Sequence, residues 1–301
     1  MFYDDVVAAA FPARPDGTPV PAAVTMASPG RRLRDAAESV AMHPVWNRRV
    51  NEALAAQGLD FLSSYVWGRA AGLGDVSGTT AAATFAWFEP GLVSALVEAG
   101  RAALPRDQVL EVRDLESAAG LADDLAGEDV DAVAVRLLEL TADLDGFGRP
   151  LFAGLRGRAV PDSPTGRLQR GCELVREYRG DGHVAVVLAA GVCAVEANIL
   201  TELWTGMELG SYTSTRGWSP EIQAEAVAQL EARGWVAGAA LTAAGTAARE
   251  DLEAATDLAC GALVQGLGAD LEDVVARLDA WGQRCIDAAS FPADALKRAA
   301  G

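Results

Sequence analysis

The chain has 301 residues, of which 50% are hydrophobic and 22% charged, and its formal net charge is −17. This length and apolar content allow a large buried core and argue against disorder. The acidic balance argues against broad nucleic-acid binding, which normally requires clustered lysines and arginines, although it leaves a local basic patch open.

The sequence also shows neither a membrane-spanning segment nor a signal peptide. No uncharged run reaches the ~18 residues that a membrane span needs, and the N-terminus lacks the basic region of a signal peptide. The four cysteines form no CxxC pair. We therefore expect a cytoplasmic protein that does not enter a membrane and whose thiols remain free.

The first half of the sequence predicts an arm followed by helices. Residues 1–30 are rich in proline, alanine and glycine and predict an N-terminal arm. Helical patterns follow, in which we expect Pro44 to end or kink the first helix and Gly58 to end the next. Asp60 is a good N-cap for the helix after it. Residues 146–166 contain several glycines and prolines and predict a loop.

The segment REYRGDGHVAVVLAAGV, residues 176–192, changes abruptly from polar to apolar. Gly180 and Gly182 predict that one helix ends here, that DGH forms a short joint, and that a second helix begins at His183. The second helix is apolar on nearly all sides, so we expect it to be central and buried.

The last third of the chain predicts a winged-helix order of elements. Ser219 as N-cap and Pro220 at the first helical position indicate a helix that runs to about Arg233. The segment GWVAGAAL predicts two very short strands. Thr242 then caps a long helix, and a final helix follows.

Six blocks of the sequence together resemble a known family. The blocks are residues 65–74, 83–93, 148–154, 176–192, 216–236 and 241–257. They resemble an actinobacterial family described as helix-turn-helix domain-containing or SalK-like, and LEARGWV with LTAAGTAAREDLEAATDLA resembles the end of a MarR-type winged helix. His43 falls on a position where this family carries a histidine.

The resemblance implies a mostly α fold, with a multi-helix body and a C-terminal winged helix-turn-helix that holds a short β-hairpin. We therefore expect an N-terminal arm at 1–30, a helical ligand-binding body at 31–205, and a winged-helix domain with terminal helices at 206–301. The resemblance implies no settled function, so function has to be argued from the site.

The predicted recognition helix Pro220–Arg233 is poorly suited to DNA. Major-groove reading needs arginine, lysine or amide side chains on the helix and basic residues on the phosphates. This helix carries Glu221, Glu225 and Glu231, and the hairpin has no basic residue. We expect the winged helix to serve packing or homodimer formation rather than DNA binding.

The RGDGH block is the first candidate site. Glu177, Arg179, Asp181 and His183 converge where the apolar helix is predicted to start, and a helix N-terminus attracts anions. We expect His183 and Asp181 to be catalytic and Arg179 and Glu177 to bind the ligand. A structural polar joint, with Asp181 as N-cap, is the alternative.

Arg69 is predicted to be largely buried and therefore to need an acidic partner. The candidates are Asp181, Glu177 and Glu89. Arg69 is interpreted as a ligand-binding residue, and a structural salt bridge between two helices is at least an equal alternative.

His43 is the only other histidine, and we expect it to be catalytic if it shares a cavity with His183. The two histidines lack the spacing of a metal site, so no metal is expected. Four aromatic residues are candidates for the apolar wall of the same pocket: Tyr65, Trp67, Trp87 and Phe88.

The sequence has no dinucleotide-binding fingerprint, phosphate-binding loop or nucleophile elbow, so no cofactor is expected. We expect a small-molecule-binding protein, and within that class a cofactor-independent acid–base enzyme of specialised metabolism, such as a lyase, isomerase or cyclase. The alternative is a MarR-like transcriptional regulator that responds to a small-molecule ligand.

Overall fold

A computed structural model describes residues 2–11 and 28–300. This part of the chain is mostly helical, with one two-stranded antiparallel sheet formed by β1 (Val236–Ala237) and β2 (Ala240–Leu241). The helices are α1 (Tyr3–Ala10), α2 (Pro29–Ala41), α3 (His43–Trp46), α4 (Arg48–Ala55), α5 (Phe61–Ala70), α6 (Gly78–Phe85), α7 (Pro90–Ala103), α8 (Arg106–Asp124), α9 (Asp131–Ala142), α10 (Pro150–Arg156), α11 (Pro164–Ala189), α12 (Ala194–Trp204), α13 (Pro220–Ala232), α14 (Ala243–Ala259), α15 (Gly261–Leu267), α16 (Leu271–Asp287) and α17 (Ala295–Ala300).

Local capping signals set the helix starts where the sequence predicts them. The side chain of Asp60 accepts a hydrogen bond from the backbone N–H of Ser63, three residues into α5. Ser219 and Thr242 cap α13 and α14 in the same way. The predicted helix starts at about 220 and 243, with a short hairpin between them, are therefore confirmed. Gly58 has φ +89° and follows α4, as a helix-ending glycine does.

The predicted joint at DGH is wrong. Helix α11 runs without a break through these residues and ends at Ala189. The chain turns instead at Gly191, where φ is +66°, and α12 leaves at 110° to α11. Packing explains why residue 182 is a glycine inside the helix: a Cβ there would lie 2.6 Å from Arg149 Nη1 and 2.9 Å from Cys260 Sγ. The prediction that the apolar segment is buried holds for α12 but not for the end of α11, where Leu188 is 76% exposed.

The predicted loop at 146–166 is also only partly correct, because it contains the short helix α10 and the first turn of α11. The N-cap residue of α10, Arg149, provides no side-chain hydrogen bond to the helix. Asp181 of α11 accepts a hydrogen bond from the third residue of α10, Phe152, at 2.9 Å. The helix is therefore capped by a residue that is distant in sequence.

Part of the predicted N-terminal arm is a helix packed on the body. Val6 and Ala10 of α1 are buried, and the Tyr3 hydroxyl donates a 2.6 Å hydrogen bond to the carbonyl of Trp46. Residues 12–27 of the predicted arm lie outside the described residues.

The described residues form three hydrophobic clusters. The first joins α2, α9 and α11 to the helices that follow the hairpin, so α16 lies along α2, with Leu278 and Trp281 near Leu33 and Val40. The second is built from α4 to α8, and the third from α12, α13, β1 and α14. The division at 205/206 remains a prediction, and α16 packs on the predicted body.

Among residues 2–11 and 28–300, no single helix combines the length and apolar character needed to cross a membrane. Helices α11 and α12 meet these criteria only when counted together, and they are bent by 110°.

Candidate functional site

A cavity of about 100 Å³, partly open to solvent, lies where the body meets the helices around the hairpin. Its walls come from α2, α5, the segment between α6 and α7, α11, α12, the 3-10 turn Thr213–Arg216, α14 and α17. The cavity is therefore built from segments that are far apart in sequence.

Arginines dominate the lining of this cavity. Three carboxyl groups line it as well, those of Glu177, Asp181 and Glu253. The seven arginines are Arg31, Arg34, Arg69, Arg176, Arg179, Arg216 and Arg249. Although the whole chain has a net charge of −17, the cavity surface carries more positive than negative groups.

Glu253 on α14 holds three of the arginines. It accepts hydrogen bonds of 2.8 Å from Arg179 and from Arg249, and one of 3.3 Å from Arg31. Burial alone would raise the pKa of Glu253, but the three guanidiniums outweigh burial and hold the pKa well below the usual range of a carboxyl. Arg31 also binds Asp35 at 2.9 Å and Arg179 also binds Asp257 at 3.0 Å, whereas the ion pair of Arg249 is with Glu253.

The partner of Arg69 is Glu177. Arg69 Nη2 donates to both carboxylate oxygens of Glu177, at 2.8 and 2.9 Å, and Arg176 donates to the same carboxylate at 2.9 Å. The Arg69 guanidinium also lies 4.9 Å from the centre of the Phe85 ring. Arg69 therefore both joins α5 to α11 by a buried salt bridge and lines the cavity, so the two interpretations of this residue are compatible.

Two guanidinium N–H groups at the cavity have no hydrogen-bond partner. The Nε atoms of Arg69 and Arg179 are buried, and no acceptor lies within hydrogen-bond distance among the described residues. A buried donor that is left unpaired is unfavourable by about 1–3 kcal/mol. The two Nε–H groups are therefore unsatisfied among the described residues.

His183 is neutral, and its tautomer follows from its neighbours. Its Nδ1 lies 2.8 Å from the hydroxyl of Thr256, and that hydroxyl donates its only proton to the carbonyl of Leu252. His183 must then donate from Nδ1, which leaves a lone pair on Nε2. Burial and the neighbouring Arg249 lower the pKa of His183 to about 3. The expected position at a helix N-terminus is wrong, because His183 lies inside α11.

Asp181 also lies inside α11, so it does not cap its own helix as expected. It is buried, and burial raises its pKa to about 7. Its carboxyl lines the cavity while one oxygen binds the backbone of α10. Asp181 therefore has the chemistry of a weak acid near neutral pH.

Three of the four predicted aromatic residues line the cavity, together with Phe85. Tyr65 and Phe88 lie 5.7 Å apart between ring centres, and the Trp87 ring lies 5.5 Å from the ring of His183. Trp67 does not reach the cavity: it is buried in the second cluster, and its Nε1 donates to the carbonyl of Leu104 at 2.9 Å.

A strained turn presents these aromatic rings. Ala86 has φ +50° and ψ −53°, and the N–H of Trp87 bonds the carbonyl of Phe85 at 2.5 Å. This is a γ-turn of the rare, strained kind. The turn sends the chain from α6 into the segment that lines the cavity with Phe85, Trp87 and Phe88.

His43 lies elsewhere, so the prediction that it shares a cavity with His183 is wrong. It is completely buried between α3 and α8, with Nδ1 3.0 Å from Ser117 Oγ and Nε2 3.3 Å from an oxygen of Asp124. Burial lowers its pKa. Both ring nitrogens are occupied by neighbouring side chains, which is typical of a structural histidine.

Sequence reasoning missed several residues of the cavity. Arg31 and Arg34 look like the polar face of an amphipathic helix, and only their burial in the fold shows otherwise. Arg249 and Glu253 are four residues apart, a spacing typical of an ion pair on one helix face, and this was the available signal. Within the described part of the chain, no group of three histidine, cysteine or acidic side chains could hold a metal ion.

Comparison with known proteins identifies the family of this chain and gives no individual relative. No curated protein and no solved structure matches the chain. A family model described as a helix-turn-helix family matches residues 30–292, which is most of the sequence. The chain therefore belongs to this helix-turn-helix family.

Proposed function

We propose that this protein binds a small anionic molecule in the arginine-lined cavity. The observation that carries the proposal is the excess of arginine on the cavity wall, which has seven arginines and three carboxyl groups. Three carboxylates outside the lining, Asp35, Glu38 and Asp257, bind four of these arginines, so the excess is one charge.

Arg216 supports the same proposal from the mouth of the cavity. It lies over the rings of Phe88 and Tyr212, at 4.9 and 4.2 Å, and no ion pair involves it among the described residues. A half-buried cation without a carboxylate partner favours an anionic ligand.

An acid–base reaction at this site would depend on Asp181 rather than His183. A general acid or base works best when its pKa is near the working pH. Asp181 meets this condition with a pKa of about 7, whereas a pKa of about 3 makes His183 a weak base and a good hydrogen-bond acceptor. Binding is therefore the primary proposal, and turnover would be an addition to it.

Regulation of transcription is the second candidate, and the place of the cavity favours it. Asn198 of α12 and Arg249 of α14 line the cavity, and these helices flank α13 and the hairpin, where a MarR-like protein would read DNA. The exposed face of α13 argues against DNA binding, because it presents Glu221, Glu225 and Glu231. The resemblance to SalK-like proteins supports neither candidate over the other.

The binding proposal is tested by titrating benzoate, phosphate and sulfate into the protein at low ionic strength, with calorimetric detection. We expect at least one anion to bind, and Arg216→Gln to weaken it about tenfold, the effect of one charge-assisted hydrogen bond. Arg277→Gln, an exposed arginine on α16, is the matched control and should leave the affinity unchanged. Absence of binding for every anion would reject the proposal.

DNA binding is tested separately, by fluorescence anisotropy with labelled genomic fragments at ~0.15 M salt, a condition at which specific sites persist. We expect no sequence-selective binding below micromolar concentration. Sequence-selective binding at such concentrations would favour regulation of transcription as the function of this protein.

A further inference from the structure

We infer that the ligand of this cavity is a flat anion that also carries a neutral hydrogen-bond donor, received by His183 Nε2 beside the Trp87 ring. This inference rests on the anion-binding function proposed above. The inference is argued from the hydrogen-bond roles of the lining residues: the arginines only donate, whereas His183 Nε2 accepts.

The first step is the direction of the hydrogen bonds. Guanidinium groups are donors only, so the arginines around the cavity call for acceptors on the ligand. The carboxylates of Glu177 and Glu253 already accept hydrogen bonds from arginines. His183 Nε2, which makes no hydrogen bond among the described residues, is an acceptor of a different kind.

The second step is what fixes His183 as an acceptor. Thr256 is fully buried, and its hydroxyl proton is directed to the Leu252 carbonyl at 2.7 Å. The threonine oxygen is thereby left as an acceptor for His183 Nδ1–H. Protonation of Nε2 would add a fourth positive charge beside Arg249, Arg179 and Arg31, and the carboxylate of Glu253, which also faces the ring, offsets only part of this repulsion. Thr256 thus acts as a positioning residue for the lone pair.

The third step is the shape of the space. The rings of Tyr65, Phe85, Trp87 and Phe88 line the cavity next to the polar groups. Aromatic walls favour flat ligands that pack against ring faces and edges. The cavity measures about 100 Å³, less than the ~150 Å³ apolar cavity that admits benzene, so it takes at most one ring, with part of the ligand in its opening to solvent. A single ring with a carboxylate and a hydroxyl group meets these conditions.

The test compares three probes of equal size: benzoate, 3-hydroxybenzoate and 4-hydroxybenzoate. We expect one hydroxylated benzoate to bind the unaltered protein roughly five- to tenfold more tightly than benzoate, the usual effect of one hydrogen bond. This preference should persist in Thr256→Ser, which keeps the hydroxyl. It should disappear in Thr256→Val and in His183→Phe, while benzoate itself still binds.

Equal affinities for all three probes in the unaltered protein would overturn the inference and leave the anion-binding proposal standing. Binding of phosphate or sulfate without binding of any of the three benzoates would likewise overturn the inference and leave the anion-binding proposal standing. A preference that survives in Thr256→Val and His183→Phe would also overturn it, because the donor would then be received elsewhere.

A separate observation concerns α17, the last described helix. Arg34 donates a 2.7 Å hydrogen bond to the carbonyl of Arg298, Arg31 donates to that of Ala299, and the Tyr212 hydroxyl donates to that of Ala300 at 3.2 Å. All three donors line the cavity. Backbone carbonyls of α17 therefore occupy donors that an anion would use.

We propose that α17 occupies these donors until a bound anion displaces it. A hydrogen bond from arginine to a charged acceptor is roughly twice as strong as one to a neutral carbonyl, so an anion competes favourably for Arg31 and Arg34. Leu296, with 1% of its surface exposed, anchors α17 to the body. Displacement therefore has to release only a short helix, whose buried side chains are those of Leu296 and Ala299 among the described residues.

The test uses Leu296→Ser to loosen α17, with Leu258→Ser, 85% exposed on α14, as the control. We expect benzoate, or phosphate if benzoate does not bind, to bind Leu296→Ser about threefold or more tightly than the unaltered protein. Hydrogen exchange of α17 amides in the unaltered protein should become faster when the anion is added. Equal or weaker affinity in Leu296→Ser, or slower exchange, would overturn the proposal, and no binding of any anion to either protein would reject the anion-binding function as well.

Discussion

Asp181, in the middle of α11, accepts a 2.9 Å hydrogen bond from the backbone N–H of Phe152, the third residue of α10. This bond gives α10 the cap that its own flanking residue does not provide. Because Asp181 is buried, its pKa is raised to about 7 from an ordinary value near 3.8. The protonated form is therefore favoured in the folded state.

A raised carboxyl pKa fixes the sign of one pH dependence. The contribution of Asp181 to the free energy of unfolding is complete below its pKa of about 3.8 in the unfolded chain. It is lost as the pH rises through the folded-state pKa of about 7. Asp181→Asn keeps an acceptor for Phe152 but cannot ionise. We expect the unaltered protein to lose ~2–3 kcal/mol relative to Asp181→Asn between pH 5 and pH 8, measured by urea unfolding. Asp181→Ala, which also loses the cap, should be less stable at both pH values, and parallel curves for the unaltered protein and Asp181→Asn would contradict the prediction.

Glu253→Gln removes the carboxylate that three buried arginines share. We expect a loss of roughly 3–5 kcal/mol in the free energy of unfolding, because Arg249 remains buried without its carboxylate partner while Arg31 and Arg179 keep only Asp35 and Asp257. Added phosphate or benzoate should restore more stability to this variant than to the unaltered protein, since the anion can take the place of the missing carboxylate. Both effects are measured by thermal unfolding with and without the anion.

The matched control for this variant is Glu272→Gln, which removes the partner of Arg32 on the surface. Exposed ion pairs contribute little to stability, so this change should leave both the unfolding transition and its response to anions unaltered. An equal anion effect in all three proteins would show that Glu253 does not balance the charge of the cavity.

His183 should remain neutral across the physiological range. Because burial and Arg249 lower its pKa to about 3, nitrogen chemical shifts recorded from pH 5 to pH 8 should show no titration and should report a proton on Nδ1. Because the pKa of His183 is lowered on folding, its contribution to the free energy of unfolding is complete above the unfolded pKa of about 6.5. This contribution is lost as the pH falls toward 3. A midpoint near 6.5 for His183 would contradict the assignment of its tautomer and charge.

Ala86→Gly should stabilise the protein by about 0.5–1 kcal/mol. Ala86 adopts φ +50°, which is unfavourable for a residue with a Cβ and unstrained for glycine. Ala83→Gly, an exposed position inside α6, is the control and should destabilise by about 1 kcal/mol. The same substitution would then have opposite signs three residues apart, as measured by denaturant unfolding. Destabilisation by both changes would argue against the strained turn.

The sequence by itself determined the features that depend on neighbouring residues. Ser219 with Pro220, Thr242 and Asp60 mark helix starts, because an N-cap acts on backbone groups only two or three residues away. Gly58 marks an end for a similarly local reason, since it reaches positive φ without a steric penalty. The mostly helical fold and the short hairpin follow from such signals and from the periodicity of apolar residues.

The tertiary structure alone decided where the polar residues of the site meet. The two glycines of RGDGH predict a break, but α11 runs through them, and residue 182 is a glycine because Arg149 and Cys260 pack closely against its backbone. Arg31 and Glu253 are 222 residues apart and pair inside the fold. A salt bridge across such a distance leaves no pattern in one sequence, because each partner alone resembles a solvated surface charge. Burial in the packed structure turns these scattered charges into one positive cavity.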